Sequence, residues 1–172
     1  MSTNSISDKV AERLFETAGS GVFAVLDGAS VRGLLDALFQ WQPSYECLHP
    51  GELEPDMAEV APYLVQLDRG SQFANWVITE GWGNHWGVFA ISPADLRAVR
   101  RHLRAVFIVR DGSGRPMYFR FYDPRVLRTY VPTCNSEELS AFFGPITAFV
   151  LEGEEPDAAL CFQAPAGQPA ST

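Results

Sequence analysis

Short apolar runs bounded by turn residues recur along this chain and constrain its fold most strongly. Each run holds roughly four to eight residues, which suits a strand better than a helix. The early runs alternate with helical patterns, whereas the later runs follow one another as hairpins. This order predicts a single α/β or α+β domain, with helices packed on a mixed β-sheet. The expected strands are Val22–Leu26, Ala61–Asp68, Val88–Ser92, Ala105–Arg110, Met117–Tyr122, Ile146–Gly153 and Ala158–Gln163.

The N-terminal segment carries a helical pattern of its own. Ile6, Val10 and Leu14 recur every four residues, which predicts an amphipathic helix over residues 7–17. The glycines at 19–21 end it, and we expect an appendage more than a core element. The chain then divides into an N-terminal helix and linker at 1–21, the main domain at 22–163, and a tail at 164–172 that is too poor in apolar residues to stay ordered.

Residues that can cap helices precede several of the helical patterns. Ser30 and Ser71 are candidate caps, and Asn135 followed by Glu138 resembles a capping box. Ser92, followed by a proline and an acid, is a further strong start signal. By contrast, residues 42–57 combine prolines and acids and are expected to be irregular surface chain.

Composition narrows the class of protein. With 172 residues and 47% apolar content, the chain can form one ordinary hydrophobic core. No secretory signal pattern and no long apolar run is present, so we expect a soluble cytoplasmic protein that binds no membrane. Cys47, Cys134 and Cys161 are odd in number and form no C-x-x-C pair, which argues for reduced thiols and against a zinc site.

Charge is concentrated in the middle of the chain. The formal net charge is −8, yet residues 93–132 hold three acids and nine arginines. Local pairing with three acids cannot satisfy nine guanidinium groups, so this block is expected to hold anionic groups. Arg97, Arg101 and Arg104 are spaced to project from one exposed helix flank.

Aromatic residues alternate with the basic residues in the strand that follows. Alternation would place Met117, Phe119 and Phe121 on one face. The other face would carry Tyr118, Arg120 and Tyr122. Four uses of this block remain open: internal salt bridges, a catalytic anion site, a nucleic-acid groove, or a docking face for a protein. The acidic remainder of the surface disfavours nucleic acid, and arginine with aromatic residues is typical of protein interfaces.

Catalysis is a weaker alternative. A small hydrolase or ligand-binding enzyme could use His85 with Asp27 or Cys134, but no nucleophile-elbow or cysteine-protease motif accompanies them. The three histidines have no metal-binding spacing, and no glycine-rich phosphate loop occurs. We therefore expect no metal and no cofactor.

Several strings in one order resemble a known family. They are "FAVLDGA", "APYLVQLD", "WGVFAIS", "LRAVRRHLRAVFIVR", and above all "FRFYDPRVLRTYVPT" followed by "FFGPI". Over roughly Val22 to Glu152 the chain resembles the type VI secretion adaptor family, also called effector chaperones. The matched hallmark is Phe119, Arg120, Phe121, Tyr122, Asp123, Pro124 and Arg125.

The resemblance implies a bacterial cytoplasmic protein without catalytic activity. Such adaptors hold a toxic effector and assist its loading onto the tip of a spike protein, and both partners are usually encoded nearby. Asp123 is expected to cap the following turn and to pair with Arg125 or Arg120. The oligomeric state stays open. The candidate partner-binding residues are Arg97, Arg101, Arg104, Arg120, Arg125, Arg128, Tyr118 and Tyr122.

Overall fold

The computed structural model describes residues 5–167, which form one α+β domain. Among these residues, no helix combines the length and apolarity required to cross a bilayer. The helices are α1 Ile6–Phe15, α2 Leu34–Trp41, α3 Pro55–Val60, α4 Gln72–Gly81, α5 Leu96–Phe107, α6 Pro124–Tyr130 and α7 Ser136–Phe143, with a short 3₁₀ helix at Val131–Thr133. The strands are β1 Gly21–Asp27, β2 Tyr45–Cys47, β3 Pro62–Leu67, β4 Gly87–Ser92, β5 Ile108–Arg110, β6 Pro116–Tyr118, β7 Ala148–Glu152 and β8 Ala159–Gln163.

Six strands form the central sheet in the order β2-β3-β1-β4-β7-β8. The expected single domain with helices packed on a sheet is confirmed, but the sheet is not mixed, because every neighbouring pair is antiparallel. The hairpin β5-β6 stands apart as a second, two-stranded sheet. The central strand β1 is buried along almost its whole length because helices cover both faces of the sheet.

The two faces of the sheet carry separate hydrophobic clusters. Val22, Ala24 and Leu26 point into the cluster that α1, α2 and α4 complete. The alternate residues Phe23 and Val25 point into the other cluster, which α5, α6 and α7 complete. This alternation is the two-residue period of a strand that is buried on both sides.

Helix α1 belongs to the core and is not an appendage. Val10 and Leu14 are each only 1% exposed and lie in the cluster with α4. Ser5 caps the helix, and the Asp8 side chain completes a capping box. The expected disorder of 164–172 falls largely outside the described residues, although the Ala164 N–H donates to the Thr147 carbonyl at 2.8 Å.

Two of the expected helix caps are wrong. The residue before α2 is Gly33, with φ of 77°, and the Ser30 hydroxyl donates instead to the Asp27 carboxylate at 2.9 Å. Asp95 caps α5, whereas the Ser92 hydroxyl donates to the Pro145 carbonyl. The caps Ser71 and Asn135 are confirmed, the latter with a capping box through Glu138.

Three segments also differ from the expected pattern. The strand expected over Ala105–Arg110 begins only at Ile108, because α5 continues to Phe107. Residues 42–57 are not wholly irregular, since β2 and the start of α3 lie within them. The strand expected over Met117–Tyr122 ends at Tyr118, and a turn follows. Phe121 and Tyr122 are therefore both buried instead of alternating between faces.

His102 of α5 makes the stability of the fold depend on pH. Its Nε2–H donates to the Phe142 carbonyl at 2.6 Å, and burial lowers the pKa of the imidazole. Since the unfolded chain then binds a proton more readily, the free energy of unfolding is expected to fall as the pH drops below about 6.5, by up to about 1.4 kcal/mol per pH unit. His102→Gln keeps a donor and should flatten this dependence between about pH 6.5 and 5 in urea titrations. Superimposable curves for the two proteins would contradict this role.

Candidate functional site

Helix α5 presents four arginines along one flank. Asp95 caps the helix by accepting from the Ala98 N–H at 2.8 Å. The other flank buries Val99, Leu103 and Phe107 against the sheet, as a helix with one apolar face does. The four arginines occupy positions i, i+3, i+4 and i+7 and are called the arginine stripe: Arg97, Arg100, Arg101 and Arg104.

The arginine stripe lines a solvent-open cleft of about 520 Å³, here called the arginine cleft. Its remaining lining residue is Glu46, on the edge strand β2. The Arg100 Nη1 donates to Glu46 Oε2 at 2.7 Å, and the two side chains are 32% and 34% exposed. Four cations thus share one carboxylate, which leaves a local excess of positive charge on an acidic protein.

Arg104 holds the cleft together. Its Nη2 donates to the carbonyl oxygens of Cys47 at 2.9 Å and His49 at 3.1 Å, at the end of β2. These bonds fix the edge of the sheet to α5 and satisfy backbone acceptors that the sheet leaves unpaired. Arg104 was expected to bind a partner together with Arg97 and Arg101, but its guanidinium already has these internal acceptors.

Arg97 and Arg101 are the unpaired members of the stripe. Both are exposed, and within residues 5–167 neither guanidinium group has a hydrogen bond or an ion pair. Like charges three and four residues apart destabilise a helix, and Arg97 also lies in the first turn, where the helix dipole disfavours a cation. An anion bound between these side chains would relieve both effects.

Arg120, in the turn after β6, has an acceptor on the central sheet. Its Nη2 donates at 2.7 Å to Asp27 Oδ2 at the end of β1, where the Asp27 side chain is 4% exposed. Asp27 also accepts from the Ala29 N–H at 3.0 Å and from the Ser30 hydroxyl. The pair therefore joins the 119–123 turn to the sheet, and Arg120 is engaged within the chain.

The hallmark residues Asp123 and Arg125 also form hydrogen bonds within the chain. Asp123 caps α6 and accepts two bonds from the Arg125 guanidinium, at 3.0 and 2.9 Å, which confirms the expected capping and pairing. Burial raises the pKa of Asp123, but the hydrogen bonds from Arg125 outweigh it, so the pKa lies below its usual value. Arg128 donates to the Gly153 carbonyl at 3.2 Å. These arginines thus hold α6 in place.

The two candidate tyrosines occupy different surroundings. Tyr122 is 5% exposed, and burial raises the pKa of its hydroxyl. Tyr118 is 56% exposed and stacks on Phe107, with ring centroids 4.9 Å apart, while His49 meets it edge-on. Of these two tyrosines, only Tyr118 is therefore accessible at the surface.

The residues proposed for catalysis have separate hydrogen-bond partners. His85 Nδ1 pairs with the buried Glu152 carboxylate, which also accepts from the Gly83 N–H at 2.6 Å. The Cys134 thiol donates to the Tyr130 carbonyl at 3.5 Å. In the described part of the chain, no hydrogen bond joins His85 to Asp27 or to Cys134, and no three His, Cys, Asp or Glu residues are grouped to hold a metal ion.

Comparison with known proteins places the chain in a family. A family model described as a domain of unknown function, DUF4123, matches residues 22–141. The chain belongs to this family. No curated protein matches the chain, and no solved structure does.

The DUF4123 match contains both members of the Asp27–Arg120 pair and the whole arginine stripe. Within that stripe, the sequence analysis missed Arg100, although its spacing from Arg97 and Arg104 is helical. It also missed Glu46, which pairs with Arg100 across 54 residues of sequence. Local spacing could have identified Arg100, whereas no local signal indicates Glu46.

Proposed function

We propose that this DUF4123 protein is a non-enzymatic adaptor of type VI secretion. In this proposal it binds a toxic effector in the bacterial cytoplasm and assists its loading onto the spike-tip protein. The observation that carries the proposal is the pair Arg97 and Arg101, two exposed cations in a cleft built on α5 whose side chains have no acceptor within residues 5–167. Arginines placed in this way are typical of protein interfaces. The class of partner comes from the family resemblance.

Several contacts favour binding over catalysis. Within residues 5–167, the Asp27 carboxylate is engaged by Arg120 and by local donors, and the Cys134 thiol donates to the Tyr130 carbonyl. Covalent hydrolysis needs a nucleophile that is hydrogen-bonded to its base, and neither of these side chains bonds to His85 in the described residues. His85→Ala should accordingly leave effector capture unchanged.

The test is a pull-down of the effector encoded beside this gene, with the tagged chain as bait. Arg97→Glu/Arg101→Glu should reduce capture at least about tenfold, since charge-assisted hydrogen bonds are lost and repulsion replaces them. Arg104 is left intact because its bonds to the β2 carbonyls hold the cleft. Arg32→Glu/Arg69→Glu, which reverses two exposed arginines that do not line the cleft, is the matched control and should capture normally.

The salt dependence of effector capture distinguishes the arginine cleft from an apolar binding surface. Exposed charges are screened over about 8 Å at physiological ionic strength, so capture should weaken as salt is raised. A groove of about 380 Å³ between α5 and α7, lined mainly by apolar residues such as Phe119, Tyr130 and Phe142, is the alternative surface. Full capture by the double variant together with salt-insensitive binding would exclude the arginine cleft.

A further inference from the structure

We propose that the arginine cleft binds a carboxylate-rich segment of the partner protein, and that Glu46 is an internal carboxylate that competes for the same guanidinium groups. This inference rests on the proposed adaptor function and specifies the chemistry of its site. Among the described residues, Glu46 is the one carboxylate that lines the cleft, where it engages Arg100 and leaves the Arg97 and Arg101 side chains without an acceptor.

The arrangement of the stripe requires an anion. Its four arginines form like-charge neighbours at spacings of three and four residues, which destabilise a helix. The chain contains 21 acidic residues, yet in the part of the chain that the structure describes only Glu46 lines this cleft. The positive charge is therefore concentrated where the chain's own acids do not neutralise it, and a bound anion would do so.

Carboxylates suit this cleft better than a nucleic acid does. No aromatic side chain of residues 5–167 lines the cleft, whereas proteins that bind single strands stack the bases on aromatic rings. The net charge of −8 also repels an extended polyanion at long range. A guanidinium group, in contrast, matches a carboxylate with two parallel hydrogen bonds.

Spacing favours an extended segment with acids at alternate positions. Side chains two residues apart on a strand are separated by about 7 Å. Residues four apart on a helix, such as Arg97 and Arg101, have Cβ atoms about 6 Å apart. A Glu-x-Glu pattern could thus place successive carboxylates at successive arginines of the stripe.

Glu46 is positioned to be displaced. Its pair with Arg100 is about one-third exposed, so water and an incoming carboxylate can both reach it. The residue lies on β2, an edge strand of three residues, where no further strand covers it. Glu46→Gln removes the competing charge and frees Arg100 for the ligand.

The experiment measures fluorescence anisotropy of a labelled twelve-residue peptide of alternating Glu and Ser, titrated with the full chain. Arg97→Glu/Arg101→Glu should weaken binding at least about tenfold. Glu46→Gln should strengthen it about threefold, because an exposed competing ion pair is weak. Arg32→Glu/Arg69→Glu and Glu59→Gln make the same charge changes at exposed residues that do not line the cleft, and both should bind like the unaltered chain. The melting temperature of the double variant should be unchanged or higher, which shows that lost binding is not lost folding.

Three results would overturn the inference. They are equal binding by the double variant, equal binding of a Gln-Ser peptide, and tighter binding of oligothymidylate than of the acidic peptide. A separate result would contradict the adaptor function alone: the peptide binds through the cleft, but the effector encoded beside this gene is not captured. Conversely, capture of the effector without any binding of the acidic peptide would contradict this inference but would agree with the adaptor function.

Discussion

Replacing Gly87 with alanine is expected to lower the free energy of unfolding by about 3 kcal/mol. Gly87 begins β4 and pairs with Leu26 of β1. A Cβ at this position would lie 2.0 Å from the carbonyl oxygen of Val25 and 2.9 Å from its carbonyl carbon. These are backbone atoms of a central strand, and β1 cannot shift without disturbing its ladder with β3. The added methyl group must therefore distort the middle of the sheet.

Gly112→Ala is the matched control for this substitution. Gly112 lies in the β5-β6 turn, and a Cβ there would meet no atom within 4 Å. Its unfolding free energy should stay within about 0.5 kcal/mol of the unaltered chain. Urea unfolding followed by circular dichroism measures both variants. A Gly87→Ala midpoint equal to that of Gly112→Ala would show that β4 has room to move.

Local features of the fold could be predicted from the sequence because their causes are local. The strand at Val22–Leu26 follows from an unbroken apolar run that is buried on both faces. Asn135 and Glu138 form a capping box because the two side chains lie one helical turn apart. The hairpin β5-β6 follows from a turn that its own residues specify, with Asp111 accepting from the Ser113 N–H at 2.9 Å.

The direction of the strands could not be predicted in the same way. A helix between two strands indicates that they run in the same direction, and β3 and β4, which α4 connects, do so. The structure places β1 between them, so each neighbouring pair is antiparallel. A sequence pattern indicates how consecutive strands are connected but not which strand pairs beside each of them. That pairing decides whether the sheet is antiparallel or mixed.

The same distinction applies to the candidate site. Helical spacing indicated that Arg97 and Arg101 share a face, and both are exposed there. The pattern could not separate them from Arg104 and Arg120, because the acceptors that engage those two are remote in sequence. Arg104 reaches carbonyls at Cys47 and His49, and Arg120 reaches Asp27, 93 residues away. A guanidinium group is free or engaged only in the folded chain.

Arg120→Ala is expected to lower the free energy of unfolding by about 2 kcal/mol. It leaves the Asp27 carboxylate buried with only the Ala29 N–H and the Ser30 hydroxyl as donors. The cost should be smaller than that of breaking a fully buried pair because the Arg120 side chain is 52% exposed. Urea unfolding at neutral pH measures the loss.

A double-mutant cycle with Asp27→Asn separates this ion pair from other effects of Arg120. If the pair is the cause, Arg120→Ala should cost much less in the Asp27→Asn background, because no buried charge is then left without its partner. Equal costs in the two backgrounds would assign the loss to packing on Tyr122, whose ring centroid lies 5.9 Å from the guanidinium carbon. Peptide binding by folded Arg120→Ala should be unchanged, since Arg120 does not line the arginine cleft. Lost stability with retained binding would mean that the FRFYDPR hallmark maintains the fold, while the cleft on α5 contacts the partner.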